Sequence, residues 1–275
     1  MNSASALITG LHIYPVKSCR GITLSNAELT GHGLALDREW MVVDADGQFL
    51  TQRVLPRLAL IGTMLTSGML RLSAPEQASG LDLPLAGRDL RRCRVRIWSD
   101  DCDAFDEGSV AAAWLSAFLG RPARLVRFDP AKRRLSSHQW TDGIDAENRF
   151  SDGYPLLVVG EESLEDLNSR LDLPLPMNRF RPNLVVRGLG PYGEDRLDAL
   201  SGEGFEIRLV KPCDRCRVTL TDQATAQIGT EPLRKLATYR RDDVLNGVTF
   251  GMNGIVIAPP GTSLTVGCSL IARGN

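Results

Sequence analysis

Apolar residues in this chain come in short runs, some alternating with polar residues and some unbroken, and only three stretches, 109–120, 162–171 and 230–237, carry a helical repeat. A chain built this way buries its core by pairing strands, because no single run is long enough to bury much surface alone. The runs are Ala6 to Tyr14, Thr23 to Thr30, Leu58 to Leu65, Met69 to Ser73, Arg92 to Ile97, Ala123 to Phe128, Leu156 to Val159, Asn183 to Val186 and Phe205 to Leu209, with two more between Val248 and Ala272. Asp46-Gly47 joins Met41–Asp44 to Gln48–Thr51 as a hairpin, and Ser67-Gly68 joins another. There is no internal repeat. The pattern predicts a β-dominated, barrel-like α+β fold.

Ser109 is a suitable N-cap for the first helix, with Val110, Trp114 and Phe118 at four-residue spacing and Gly120 closing it. The second carries Leu164, Leu167 and Leu171 on one face, and the third has Thr230 as its cap and Leu233, Leu236 and Ala237 inward. Between Asp129 and Arg149 the chain reads as a long irregular connection containing Lys132-Arg133-Arg134. Arg92, Arg94 and Arg96 alternate with Cys93, Val95 and Ile97, giving one basic face, either solvated or a docking surface for an acidic partner.

A net charge of −1 argues against a nucleic-acid or membrane-surface binder, since both need a broad cationic excess. No apolar run is long enough to cross a membrane, and the opening Met-Asn-Ser-Ala-Ser-Ala-Leu-Ile lacks the basic and apolar regions of an export signal. Six cysteines without such a signal read as reduced thiols in a cytoplasmic protein.

Two of those thiols sit close together, in Val210-Lys-Pro-Cys213-Asp-Arg-Cys216-Arg-Val-Thr-Leu-Thr221. Arg208, Lys211, Arg215 and Arg217 place them in a positive field, which favours the thiolate, the form that attacks electrophiles and ligates metals. Such a pair fits a redox dithiol, half of a zinc site, or two unrelated neighbours. Cys19, Cys93, Cys102, Cys268 and the three histidines are scattered singly, against a four-ligand zinc site. Arg217–Thr221 is β-branched and reads as a strand, whereas a thioredoxin-type pair opens a helix. One reactive or metal-bound thiolate is the reading left.

Lys211-Pro-Cys-Asp-Arg-Cys216, with Thr221-Asp222 following, resembles the signature of the MOSC domain, named from the C-terminal domain of molybdenum cofactor sulfurases. The resemblance extends to Ser151-Asp152-Gly153-Tyr-Pro155, to Asn178-Arg-Phe-Arg181-Pro-Asn183 and to Phe250-Gly251-Met-Asn253. Upstream, Tyr14-Pro-Val-Lys17-Ser18-Cys-Arg-Gly21 and Asp37-Arg38-Glu-Trp40 look like the β-barrel domain that precedes MOSC domains in amidoxime-reducing proteins and their bacterial relatives. Motifs in this order over nearly the whole chain are far more specific than the thiol pair.

The resemblance implies an N-terminal β-barrel domain over 1–105 and a MOSC domain over 106–275. It implies a molybdenum cofactor whose metal takes Cys216 as its protein ligand and whose pterin phosphate is held by Lys17, Ser18, Arg38, Arg181 and Asn183. Asp152 matches a residue near the metal and is the second catalytic candidate, while Gly153 stands where some relatives carry a hydroxyl. The implied activity is two-electron reduction of a small N-hydroxylated substrate. Some bacterial relatives carry a fused ferredoxin-like domain, but this sequence has no set of four spaced cysteines for an iron–sulfur cluster. Electrons are therefore expected from a separate ferredoxin-like or flavoprotein donor. The alternatives are a sulfur carrier with a persulfide on Cys216, and a cofactor carrier or storage protein.

Overall fold

The computed structural model describes residues 4–86 and 90–274; Met1–Ser3, part of the opening stretch read as lacking an export signal, lie outside them. Seven strands close a barrel. Ala4–Ile13 pairs with Leu184–Arg187 on one side and Ser269–Gly274 on the other. From Ser269–Gly274 the order runs through Leu197–Gly202, Phe205–Asp214 and Gly247–Ile257 to Leu156–Gly160, which pairs back with Leu184–Arg187. All these pairs are antiparallel except the last, where helix Glu161–Ser169 supplies the crossover that parallel strands need.

Period-two alternation decides what fills the barrel. Ala6, Ile8, Leu156, Val158, Leu184, Val186, Ile207 and Leu270 form one buried cluster. Leu157 and Val159 point the other way, into a second cluster with Leu167, Phe180, Leu236 and Phe250. The unbroken apolar run from Leu156 to Val159 therefore belongs to a strand covered on both faces. The small sheet of Ser263–Thr265, Asn26–Thr30 and Gly33–Leu34 adds Ala27, Leu29, Leu34 and Leu264 to the barrel core.

A second sheet has the order Trp40–Val43, Arg124–Phe128, Asp100–Asp106 and Arg91–Ile97. Beside it lies the meander Gly62–Thr66, Met69–Ser73 and Leu81–Pro84. Helix Ser109–Leu119 buries Trp114, Leu115 and Phe118 in one core with Trp40, Leu70 and Leu125. In that core Trp40 Nε1 and Arg127 Nε each donate to Glu107 Oε1 at 2.7 Å, so the buried carboxylate is paired.

The structure differs from the sequence reading at several places. Pro56–Leu60 is a 3₁₀ turn with proline near its start, and the strand begins only at Gly62. Gly108, not Ser109, caps the first helix, and Val110 is 73% exposed. A short helix, His138–Thr141, interrupts the connection read as irregular. The third helix is confined to Leu233–Leu236, with Ala237 exposed. Arg217–Leu220, read as a strand, is a 3₁₀ turn with Cys216 at its N-cap. Its β-branched residues are overridden because Thr219 Oγ1 bonds back to Cys216 O at 2.9 Å and stabilises the turn. The arginine face of Arg91–Ile97 is solvated but paired, Arg92 with Asp129 at 2.7 Å and Arg96 with Asp101 at 2.9 Å. Among the described residues no helix is long and apolar enough to cross a membrane.

Candidate functional site

The barrel and the second sheet meet at a cavity of about 440 Å³. Lys17, Ser18, Arg38, Asp152, Gly153, Arg181, Asn183, Cys213 and Cys216 all line it, although they come from five separate stretches of chain. Lys17 and Ser18 follow the first barrel strand, where Lys17 N bonds to Trp40 O at 2.8 Å and fastens the turn to the second sheet. Asp152 precedes Leu156–Gly160, and Arg181 and Asn183 precede Leu184–Arg187. The strand Phe205–Asp214 breaks register twice, between Leu209 and Lys211 and between Pro212 and Asp214, and carries Cys213 to the cavity wall. Proline is tolerated there because a break in the ladder does not need its missing N–H.

Three residues of the basic wall hold left-handed backbone: Ser18 at φ 69°, Arg38 at φ 50° and Arg181 at φ 56°. Non-glycine residues occupy this region at a cost, and such strain gathers at functional sites where surrounding bonds hold it in place. Here Gln52 Nε2 donates to Ser18 O at 2.7 Å, Arg38 N donates to Tyr14 O at 2.9 Å, and Tyr14 OH donates to Pro182 O at 3.1 Å. Tyr14, buried outside the cavity lining, braces the wall, with the Arg38 and Arg181 guanidinium carbons 4.3 and 4.1 Å from its ring centroid. Burial pushes its hydroxyl up to about 12, so it stays a neutral donor.

Arg38 is anchored by Asp37 and by Asn183 Oδ1 at 3.0 Å. Arg181 makes only one long bond, 3.4 Å to Gln223 Oε1, among the described residues. Burial pulls its guanidinium down to about 10, with Tyr14 opposing, which is the signature of a buried cation short of counter-charge. Asn183 is committed to the protein, donating to His12 O at 3.1 Å and accepting from Leu157 N at 3.2 Å.

Lys17 Nζ donates to Phe150 O at 2.7 Å and to Asp152 Oδ1 at 2.6 Å. Burial brings this ammonium down to about 8 in spite of Asp152. The cavity's partial burial works against ionisation of Asp152, but Lys17, Arg53 and the Trp98 N–H outweigh it and hold the carboxyl well below the usual carboxylate range. Arg134 fixes the loop that presents both groups. Its guanidinium donates to Asn148 Oδ1, to Arg149 O at 3.0 Å, Ser151 O at 2.8 Å and Asp152 O at 3.2 Å, and pairs with Asp100 at 2.8 Å.

Each thiol has its own guanidinium. Arg53 Nη2 lies 3.0 Å from Cys216 Sγ, and Arg215 Nη1 lies 2.8 Å from Cys213 Sγ. Burial pushes the Cys213 thiol up, with Arg215 opposing. Arg53 also stacks on Trp98, 4.4 Å from the ring centroid, at the tip of the hairpin between Arg91–Ile97 and Asp100–Asp106. All six cysteines are free thiols. Among the described residues no three His, Cys, Asp or Glu side chains gather as a metal site.

Arg53, Trp98, Arg134 and Arg215 form as much of the site as the residues singled out in the sequence. Arg215, beside the thiol pair, was legible as part of a positive field. Trp98, between two alternating runs, could have been read as an aromatic at a hairpin tip. Nothing local marks Arg53, and Arg134 was hidden in a basic triplet.

Comparison with known proteins gives a consistent result. A family model described as the MOSC N-terminal beta barrel domain matches residues 5–122, and one described as the MOSC domain matches residues 145–270. The chain is similar to the mitochondrial amidoxime-reducing component 1 of Homo sapiens, 36% identical over 274 residues, covering 93% of this chain and 80% of that protein. It is similar also to the mitochondrial amidoxime reducing component 2 of Homo sapiens, 36% identical over 247 residues, covering 86% and 73%. A molybdenum cofactor sulfurase of Oryza sativa subsp. japonica is 34% identical over 266 residues, covering 87% of this chain and 32% of that longer protein.

Proposed function

The chain belongs to the MOSC-domain family, with the MOSC N-terminal β-barrel domain ahead of its MOSC domain, and on that premise we propose that it is a molybdenum-cofactor-dependent reductase of N-hydroxylated compounds. One observation carries this reading: a soft sulfur donor and a strained, under-bonded cationic wall face the same cavity. The donor set suits the cofactor. Arg181 has guanidinium N–H groups to spare, Arg215 Nε is buried without a hydrogen-bond partner, and the Ser18 hydroxyl has no protein partner among the described residues. Such groups suit a phosphate, which binds arginine forks in two-point fashion. The Cys216 thiolate suits a metal whose other ligands are sulfur.

When bound, the cofactor supplies the two-electron chemistry that turns an N–OH group, with two protons, into N–H and water. The chain's own part is placement. Lys17, Ser18, Arg38, Arg181 and Asn183 would hold the phosphate, with Lys17 contributing the N–H left over from Phe150 and Asp152 and Asn183 acting by fixing Arg38. Cys216 would be the protein's ligand to the metal, its sulfur directed by Arg53. Asp152 stands on the wall where a substrate would lie. Electrons would come from a separate ferredoxin-like or flavoprotein donor, and the free thiols suit a reducing compartment such as the cytoplasm.

The sulfur-carrier reading uses the same Cys216, and the sequence shared with the rice sulfurase supports it. One experiment separates the two. Protein from a cofactor-competent host is assayed for molybdenum and pterin, and for reduction of benzamidoxime by a reduced dye. Near-stoichiometric cofactor with turnover is the expected result; labile sulfur on Cys216 with neither metal nor turnover would overturn the reductase.

A further inference from the structure

Two uncharged residues outside the cavity lining hold its basic wall from behind. Gln52 and Gln223 lie 171 positions apart and are both buried, 1% and 6% exposed. The first follows Leu50, which packs in the core of the second sheet, and the second follows the 3₁₀ turn that Cys216 opens. Gln52 Nε2 donates to Gln223 Oε1 at 3.0 Å and Gln223 Nε2 donates to Gln52 Oε1 at 2.9 Å, which closes a ring of two amides. The remaining N–H of each is also used: Gln52 donates to Ser18 O at 2.7 Å and Gln223 to Thr221 O at 3.0 Å. Gln223 Oε1 accepts in addition from Arg181 Nη1 at 3.4 Å. Turning both amides over would keep the ring but set oxygen against Ser18 O and Thr221 O, and an N–H against the Arg181 guanidinium. The neighbours therefore fix which end of each amide is which.

The amide pair grips the site at three points. It holds Ser18 by its carbonyl in left-handed backbone, φ 69°. It supplies the hydrogen bond that the Arg181 guanidinium makes within the protein. It also ties down Thr221, the C-cap of the turn that begins at Cys216. A buried amide is costly unless every polar atom finds its partner, so the pair enforces one relative placement of these segments, which an apolar contact of the same volume would not do. We propose that Gln52 and Gln223 are positioning residues for a phosphate: acting as one unit, they pre-set the Ser18 turn and the Arg181 guanidinium, so that anion affinity depends on a contact that never touches the anion. Their role requires Ser18 and Arg181 to take a phosphate, as proposed above, and depends on no property of a substrate.

The test is calorimetric titration of the full-length, cofactor-free protein with inorganic phosphate, for wild type, Gln52→Met, Gln223→Met and the double variant, with thermal melting alongside. Each single variant should bind phosphate about tenfold weaker, roughly the cost of ordering one freed arginine side chain on binding. The double variant should be no weaker than the singles, because losing either amide already breaks the unit. Gln52→Asn, whose amide is one methylene too short to reach both Ser18 and Gln223, is the gentler variant and should show the same loss if a methionine variant does not fold. Lower melting temperatures with unchanged phosphate affinity would reduce the pair to a structural contact and overturn the proposal. Losses that add in the double variant, or no phosphate binding by the wild type, would overturn it too. If loaded wild type fails to reduce benzamidoxime while phosphate affinity still depends on the pair, the reductase reading fails and the positioning role stands.

Discussion

Lys17 offers a quantitative check on the site's electrostatics that needs no cofactor. Its ammonium is buried against Asp152, with Arg134 and Arg38 adding unfavourable charge, and titrates at about 8 instead of 10.5. In the unfolded chain the lysine keeps its proton to the higher value. Below pH 8 both states are protonated and the fold bears the full cost of the buried charge. Between pH 8 and 10.5 the folded protein sheds a proton that the unfolded chain retains, so stability rises with pH. At about 1.4 kcal/mol per pH unit the whole gap is worth about 3 kcal/mol, and about 2 kcal/mol of it falls between pH 7 and 9.5. Lys17→Met removes this term while filling similar volume. Urea unfolding of cofactor-free wild type and variant at several pH values between 7 and 9.5 isolates it, because groups remote from Lys17 cancel in the difference and the carboxyl of Asp152, which Lys17 helps to hold low, titrates well below this range. The wild type should gain about 2 kcal/mol on the variant from pH 7 to 9.5. Parallel curves, or a relative loss with pH, would refute the claim that the fold holds Lys17 as a strained cation. An anion bound in the cavity should reduce the effect, since it adds to the stabilisation that Asp152 already gives the buried ammonium.

Three further outcomes follow from the geometry. Cys216→Ser should abolish dye-coupled turnover and weaken metal retention, whereas Cys213→Ser should keep most of both, as read by elemental analysis and kcat; equal loss would remove the single-ligand assignment. Arg181→Ala should lower pterin content severalfold with the melting temperature of the empty protein little changed, because Arg181 has few protein partners; full pterin content would take it out of the cradle. Arg134→Ala should cost about 2–3 kcal/mol in urea unfolding and open the 148–152 loop to limited proteolysis, because it removes a buried charge and its bonds to that loop; unchanged cleavage would show that other contacts hold the loop.

Period and spacing in the sequence determined the strand-rich fold, since alternation such as Phe205 to Leu209 has no other economical use. The motifs also carried the residues that meet in the cavity, because each lies where a strand begins or ends. What the sequence left open were contacts between distant segments. Arg53 meets Cys216, 163 positions away, only because the second sheet packs on the barrel mouth. The anchoring of Asp152 depends on Trp98 and Lys17 arriving from two other loops. Arg217–Leu220 misled for the same reason: its β-branched residues state a local preference, and a hydrogen bond back to Cys216 overrides it. Propensity is a property of neighbours along the chain. The charge, hydration and aim of a side chain are set by neighbours in space, and those only the closed barrel and its packed partner sheet supply.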